Sequence, residues 1–180
     1  MSELLNQLLT KVIILLLLIY THELGHYLMG IITGIPRNSI KLEPGFPPNI
    51  ALRDEEGEWV SPLDHKEFVQ AYNSYDPGGQ HVFFFLVGGK VLESDFLILA
   101  TLLVLAGPLP RHLIPSLVIV SLVLDLVHMF QDGYRSTKEG LPQGDVSNMW
   151  YMAPTSSIIY FIFHFGIRFG IIYLYYHFII

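Results

Sequence analysis

Cysteine is absent from the 180 residues. That excludes a disulfide framework, a thiolate metal site and a cysteine nucleophile, so any metal must be held by histidine, aspartate or glutamate. Charge is also scarce. Charged residues are 14% of the chain and hydrophobic residues 52%, too few and too many for the surface of an ordinary soluble domain. Lysine and arginine together number 10 against 16 acidic residues, a net charge of -6. No basic cluster is available to displace counterions from phosphates, which excludes a nucleic-acid binder resting on a basic face and a basic membrane-surface module.

The remaining charges are unevenly spread. They leave four stretches nearly clear, roughly 12–35, 96–110, 113–131 and 156–180, while Asp54, Glu55, Glu56 and Glu58 crowd into the segment after the first. The first stretch begins like a secretory signal. It then runs on through Thr21, His22, Glu23 and His26 to Gly34 and Pro36 instead of reaching a small-residue cleavage site. About 20 residues at 1.5 Å each cross a hydrocarbon core of roughly 30 Å, so Thr10 to Thr33 reads as a spanning helix. Leu113 to Phe130 and Ile158 to Ile180 read likewise, with a polar loop, Tyr134 to Asn148, between them after Asp132-Gly133. Phe96 to Leu109 is a shorter apolar helix, stopped by Pro108 and Pro110 and pairing with the next as a tight hairpin.

Residues 36–80 are rich in proline and glycine and read as an extramembrane loop with one short helix near Leu63 to Tyr72. His81 to Leu92, aromatic and β-branched around Gly88-Gly89, predicts a membrane-associated β-hairpin or re-entrant segment. The expected fold is therefore an all-α integral membrane protein, multi-pass, with about four transmembrane helices and that short hairpin. Residues 1–180 form a single membrane-embedded domain in this reading, with 36–95 as its extramembrane loop and membrane-associated segment.

The chemistry concentrates at His22-Glu23-Leu24-Gly25-His26. On a helix, positions 22 and 26 lie one turn apart on one face, so two neutral imidazoles can reach one zinc ion, and Glu23 can take a proton from an attacking water. Ionisable side chains in an apolar span cost about 2.5–3.5 kcal/mol each on insertion, and a bound metal gives these three a reason to be there. A catalytic zinc usually has three protein ligands. The best source of the third is the later apolar helix, where Asp125, His128 and Asp132 share a face at i, i+3 and i+7; His81, Glu93 and Asp95 are further candidates. Arg168, charged within the last apolar run, must snorkel or find a carboxylate such as Asp125.

His22-Glu23-Leu24-Gly25-His26 in a span, Ala106-Gly107-Pro108-Leu109 in the following hairpin and Asp132-Gly133 closing a later span together resemble the site-2 protease family of intramembrane zinc metalloproteases. The resemblance covers about residues 10–133. It implies His22, His26 and Asp132 as zinc ligands, Glu23 as the catalytic base, Zn2+ as cofactor, and a transmembrane protein substrate cut within or near the membrane lipid. The Asn and Pro that family members commonly carry ahead of Asp-Gly are missing, with Asp125 and His128 in that region instead. No inserted peptide-binding domain fits between residues 36 and 95, so the chain reads as a minimal member. The alternatives are a non-proteolytic membrane scaffold or binding protein derived from such an enzyme, and a membrane zinc hydrolase acting on a lipid.

Overall fold

The computed structural model describes residues 2–178. Their order is α1 (Ser2–Ile32), β1 (Ile40–Glu43), β2 (Asn49–Arg53), β3 (Trp59–Val60), α2 (His65–Tyr75), α3 (Val82–Leu105), α4 (Leu113–Glu139), α5 (Gly144–Met152) and α6 (Pro154–Phe178). The chain divides into two compact units, residues 19–92 and the residues before and after them.

In the unit of residues 19–92, the C-terminal half of α1 ends in a Schellman turn. Gly34 takes the left-handed conformation at φ 109°, its N–H bonds to the Ile31 carbonyl, and the Ile35 N–H bonds to the Gly30 carbonyl. The three strands pair antiparallel in the order β1-β2-β3, with Ile40 opposite Leu52, Leu42 opposite Ile50, and Arg53 opposite Trp59. Strand periodicity sends Ile40, Ile50 and Leu52 to one face, where they pack with Ile35, Ala71, Tyr72 and Phe85 into a closed core. On the other face Lys41 and Arg53 both lie over the Trp59 ring, at 4.3 and 4.8 Å from its centroid.

Asp76 joins α2 to α3. Its carboxylate accepts the Gln80 and His81 N–H groups just ahead of α3, and also the Tyr72 hydroxyl at 3.3 Å. Burial, and then the neighbouring Asp76 carboxylate, push the Tyr72 phenol above its ordinary range and keep it a donor.

The expected β-hairpin or re-entrant segment at 81–92 is instead the start of α3. Gly88 and Gly89 do not turn the chain. They strip α3 of side chains where α1 crosses it, so that a Cβ at Gly25 would land on the Gly88 carbonyl, and one at Gly88 would lie 2.8 Å from the Gly25 carbonyl oxygen. The local β preference of the aromatics yields to this packing. The all-α expectation also needs correction, because the 36–80 loop contains the small sheet, and the short helix sits at 65–75.

The other unit holds the remainder of α3 with α4, α5 and α6. Gly107, at φ 95°, ends α3, and Pro108 and Pro110 keep it from resuming. Asp132-Gly133 does not close α4 as expected. One interior glycine costs a helix only about 1 kcal/mol, and α4 continues through the helix-favouring Arg135, Lys138 and Glu139 to a left-handed Gly140. The expected polar loop after it contains α5.

Among the described residues, three helices are long and apolar enough to cross a membrane: Glu3–Ile32, Leu113–Glu139 and Pro154–His177. α3 carries Lys90, Glu93 and Asp95 in its middle.

Gly25→Ala is expected to lower stability by about 1–3 kcal/mol through overpacking against the α3 backbone. Thermal unfolding in detergent followed by circular dichroism checks this, and an unchanged midpoint contradicts the crossing.

Candidate metal centre and buried ion cluster

α1 places His22, Gly25, His26 and Gly30 on one buried face, because 22, 26 and 30 repeat at the helical spacing and glycine at 25 lets α3 come close. His26 donates from Nδ1 to the Phe85 carbonyl of α3 at 2.8 Å. A carbonyl can only accept, so the proton is on Nδ1 and the Nε2 lone pair is left available. That lone pair points at His22 Nε2, 3.1 Å away.

Two nitrogens facing each other at this distance require a proton or a cation between them. The residues fit a zinc ion. At zinc–nitrogen bonds of about 2.0–2.1 Å, two tetrahedral ligands are about 3.3–3.4 Å apart, close to the spacing found. A ligand histidine characteristically gives its other ring N–H to a backbone carbonyl, as His26 does. Space is also reserved beside the pair, since a Cβ on Gly89 would lie 2.6 Å from His26 Nε2 and 2.8 Å from His22 Nε2. Glu23, half-buried, follows His22 and stands about 100° around the helix from it.

Asp125, His128 and Asp132 belong to the other unit, and His81 to the unit of residues 19–92. Asp132 is buried on α4, and its Oδ2 accepts the Val146 N–H of α5 at 2.9 Å. Gly144, left-handed at φ 77°, lies against the same carboxylate, where no Cβ fits. Asp132 thus anchors the first turn of α5, which carries a second acidic residue, Asp145. Asp145 was missed in the sequence because α5 was read as loop; its helix-start pattern of Gly144-Asp145 was the available signal. His128 is half-buried on α4, and His81 precedes α3 as a loop residue.

Asp125 has a different role. Arg168 on α6 is fully buried, with Nη2 donating to Glu93 Oε1 at 2.9 Å and Nε lying 3.0 Å from Asp125 Oδ2 as an ion pair. Its Nε also reaches Ser121 Oγ at 3.0 Å, and Nη1 reaches the His164 carbonyl at 2.9 Å and Ser94 Oγ at 3.3 Å. Ser121 in turn donates to Glu93 Oε1 at 2.8 Å. His164 donates from Nε2 to Asp125 Oδ2 at 3.0 Å, while the hydroxyls of Tyr160 and Ser94 approach its Nδ1 at 3.0 and 3.1 Å. The carboxylate partner expected for Arg168 is therefore Asp125, joined by Glu93. An oxygen that already receives an imidazole N–H and sits in an ion pair with a guanidinium is a poor metal ligand.

No family model matches the chain, and no curated protein or solved structure is significantly similar to it.

Arg168→Leu removes one side of a buried charge set and leaves Glu93 and Asp125 facing an apolar side chain, a loss of about 3–5 kcal/mol. Thermal unfolding in detergent measures it. Arg168→Lys, a single point charge without the planar fork, is expected to recover only part of the stability; a neutral Arg168→Leu would mean the cluster does not hold α6.

Proposed function

We propose that this chain is a membrane-embedded zinc endopeptidase of the site-2 protease type, cutting peptide bonds in or near transmembrane segments of other membrane proteins. The observation that carries the reading is the His22–His26 pair, with Nε2 atoms 3.1 Å apart and the His26 tautomer set by the Phe85 carbonyl, on a helix apolar enough to cross a membrane. The distribution of residues supports the membrane. Leu4, Ile32 and Phe130 are about three-quarters exposed, while Arg168 and Glu93 are fully buried. Hydrocarbon solvent selects such an arrangement, since it tolerates apolar surface and forces ionisable groups to pair inside.

His22 and His26 would hold the ion together with a carboxylate. The resemblance names Asp132, and Asp145 is the neighbouring candidate that α5 supplies. The chemistry supplied by bound zinc is polarisation of the scissile carbonyl and a lowered pKa for the attacking water. Glu23 takes that water's proton and returns one to the leaving amine nitrogen, the general-base and general-acid role of the glutamate in this motif. His26, fixed by the Phe85 carbonyl, keeps a lone pair on Nε2 and does not need to change tautomer during a cycle. The apolar surroundings limit water to what the site admits, which favours hydrolysis at one bond over side reactions.

Detergent-purified protein is expected to hold about one zinc per chain by elemental analysis, lost in His22→Ala and in either Asp132→Asn or Asp145→Asn. Glu23→Gln keeps the zinc and lowers cleavage of labelled single-span peptides in proteoliposomes by at least about 100-fold. Zinc-free wild type, or a Glu23→Gln variant that cleaves normally, overturns the enzyme reading, and the first of these favours the scaffold alternative.

A further inference from the structure

Three glycines meet at the α1–α3 crossing, and they are not equivalent. Gly25 faces backbone, and Gly88 faces the Met29 side chain and the Gly25 carbonyl. A Cβ on Gly25 would strike the Gly88 carbonyl, and one on Gly88 would meet Met29 Cβ at 2.7 Å and the Gly25 carbonyl oxygen at 2.8 Å. Gly89 faces side-chain ends instead: its three nearest would-be neighbours are His26 Nε2 at 2.6 Å, His22 Cε1 at 2.7 Å and His22 Nε2 at 2.8 Å. Two of these three atoms are the nitrogens that carry the ligand chemistry.

We propose that Gly89 is a positioning residue for metal capture: its missing side chain reserves the Nε2 edge of the His22–His26 pair for the ion. The inference rests on the proposed zinc site and adds a residue that no HExxH pattern contains. Any side chain at position 89 meets imidazoles with little freedom to move away. His26 is tethered by its Nδ1–H to the Phe85 carbonyl, one turn before Gly89 on the same helix, and its ring lies edge-on to His22 with centroids 4.7 Å apart. A methyl group there would push the two Nε2 atoms off a shared point, or force His26 to give up the Phe85 carbonyl and with it the tautomer that exposes Nε2. Clearance at position 89 is thus a condition for two-histidine ligation, whereas Gly25 and Gly88 are conditions for the helices to meet at all.

The test is zinc affinity, measured by competition with a chromophoric chelator on the full-length protein in detergent, alongside thermal unfolding of the metal-free protein. Gly89→Ala is expected to weaken zinc binding by about 100-fold while the metal-free protein stays folded, with a melting midpoint lowered less than in Gly88→Ala. Wild-type zinc affinity in a folded Gly89→Ala protein overturns the inference and leaves the zinc site standing. If Gly89→Ala does not fold, His22→Ala/His26→Ala/Gly89→Ala decides. Melting like His22→Ala/His26→Ala places the clash on the imidazoles, as inferred, while an equally unfolded triple variant makes position 89 a packing contact and overturns it. If wild type binds no zinc, the proposed function fails and this inference with it.

Discussion

The backbone-to-backbone approach of α1 and α3 at Gly25 and Gly88 is the constraint on which the unit of residues 19–92 depends. It brings the Phe85 carbonyl within 2.8 Å of His26 Nδ1, and that one bond decides which nitrogen of His26 is left to act. It also brings Phe85 into the core shared with Ile40, Ile50, Leu52 and Tyr72, so the sheet and α2 are packed against the same short stretch of α3 that orients the histidine. Folding of this unit and preparation of the histidine pair are therefore one event. The pair inherits the rigidity of a packed core, which suits the ligand role proposed for it.

In the remaining unit the organising element is Arg168. Its guanidinium donates to Glu93, Ser121, Ser94 and the His164 carbonyl and is ion-paired with Asp125. These groups come from α3, α4 and α6, so the apolar helices are joined by a polar interior. Apolar contact alone selects helix partners weakly when the surroundings are apolar too, and hydrogen-bonded side chains supply the selectivity. Because removing one member leaves the others buried and charged, the cluster specifies a single arrangement of the three helices more than it adds stability.

Much of this was legible in the residues. The long apolar runs predicted α1, α4 and α6, the four-residue spacing put His22 and His26 on one face, and the isolation of Arg168 in an apolar run demanded a carboxylate partner that proved to include Asp125. The errors share a physical cause. Gly88-Gly89 has the composition of a turn, and only the proximity of α1 turns it into a helix surface. Strands of two to five residues between prolines have too little periodicity to be recognised, and they depend on a core contributed by α1, α2 and α3. Asp132-Gly133 looked like a helix end because glycine is a common terminator, but the actual terminator is Gly140, and Asp132 serves instead to start α5. Asp145 was hidden by the same misplacement. Pairings between residues far apart in sequence, such as Glu93 with Arg168, leave no local signature beyond an unpaired charge.

In the proposed centre His22 and His26 would ligate one ion through Nε2. Zinc K-edge X-ray absorption of the zinc-loaded full-length protein reads it directly. Two imidazole scatterers at about 2.0–2.1 Å, with the rest of the shell oxygen, are predicted, falling to one in His26→Ala. A shell with no imidazole, or one unchanged in His26→Ala, would contradict it.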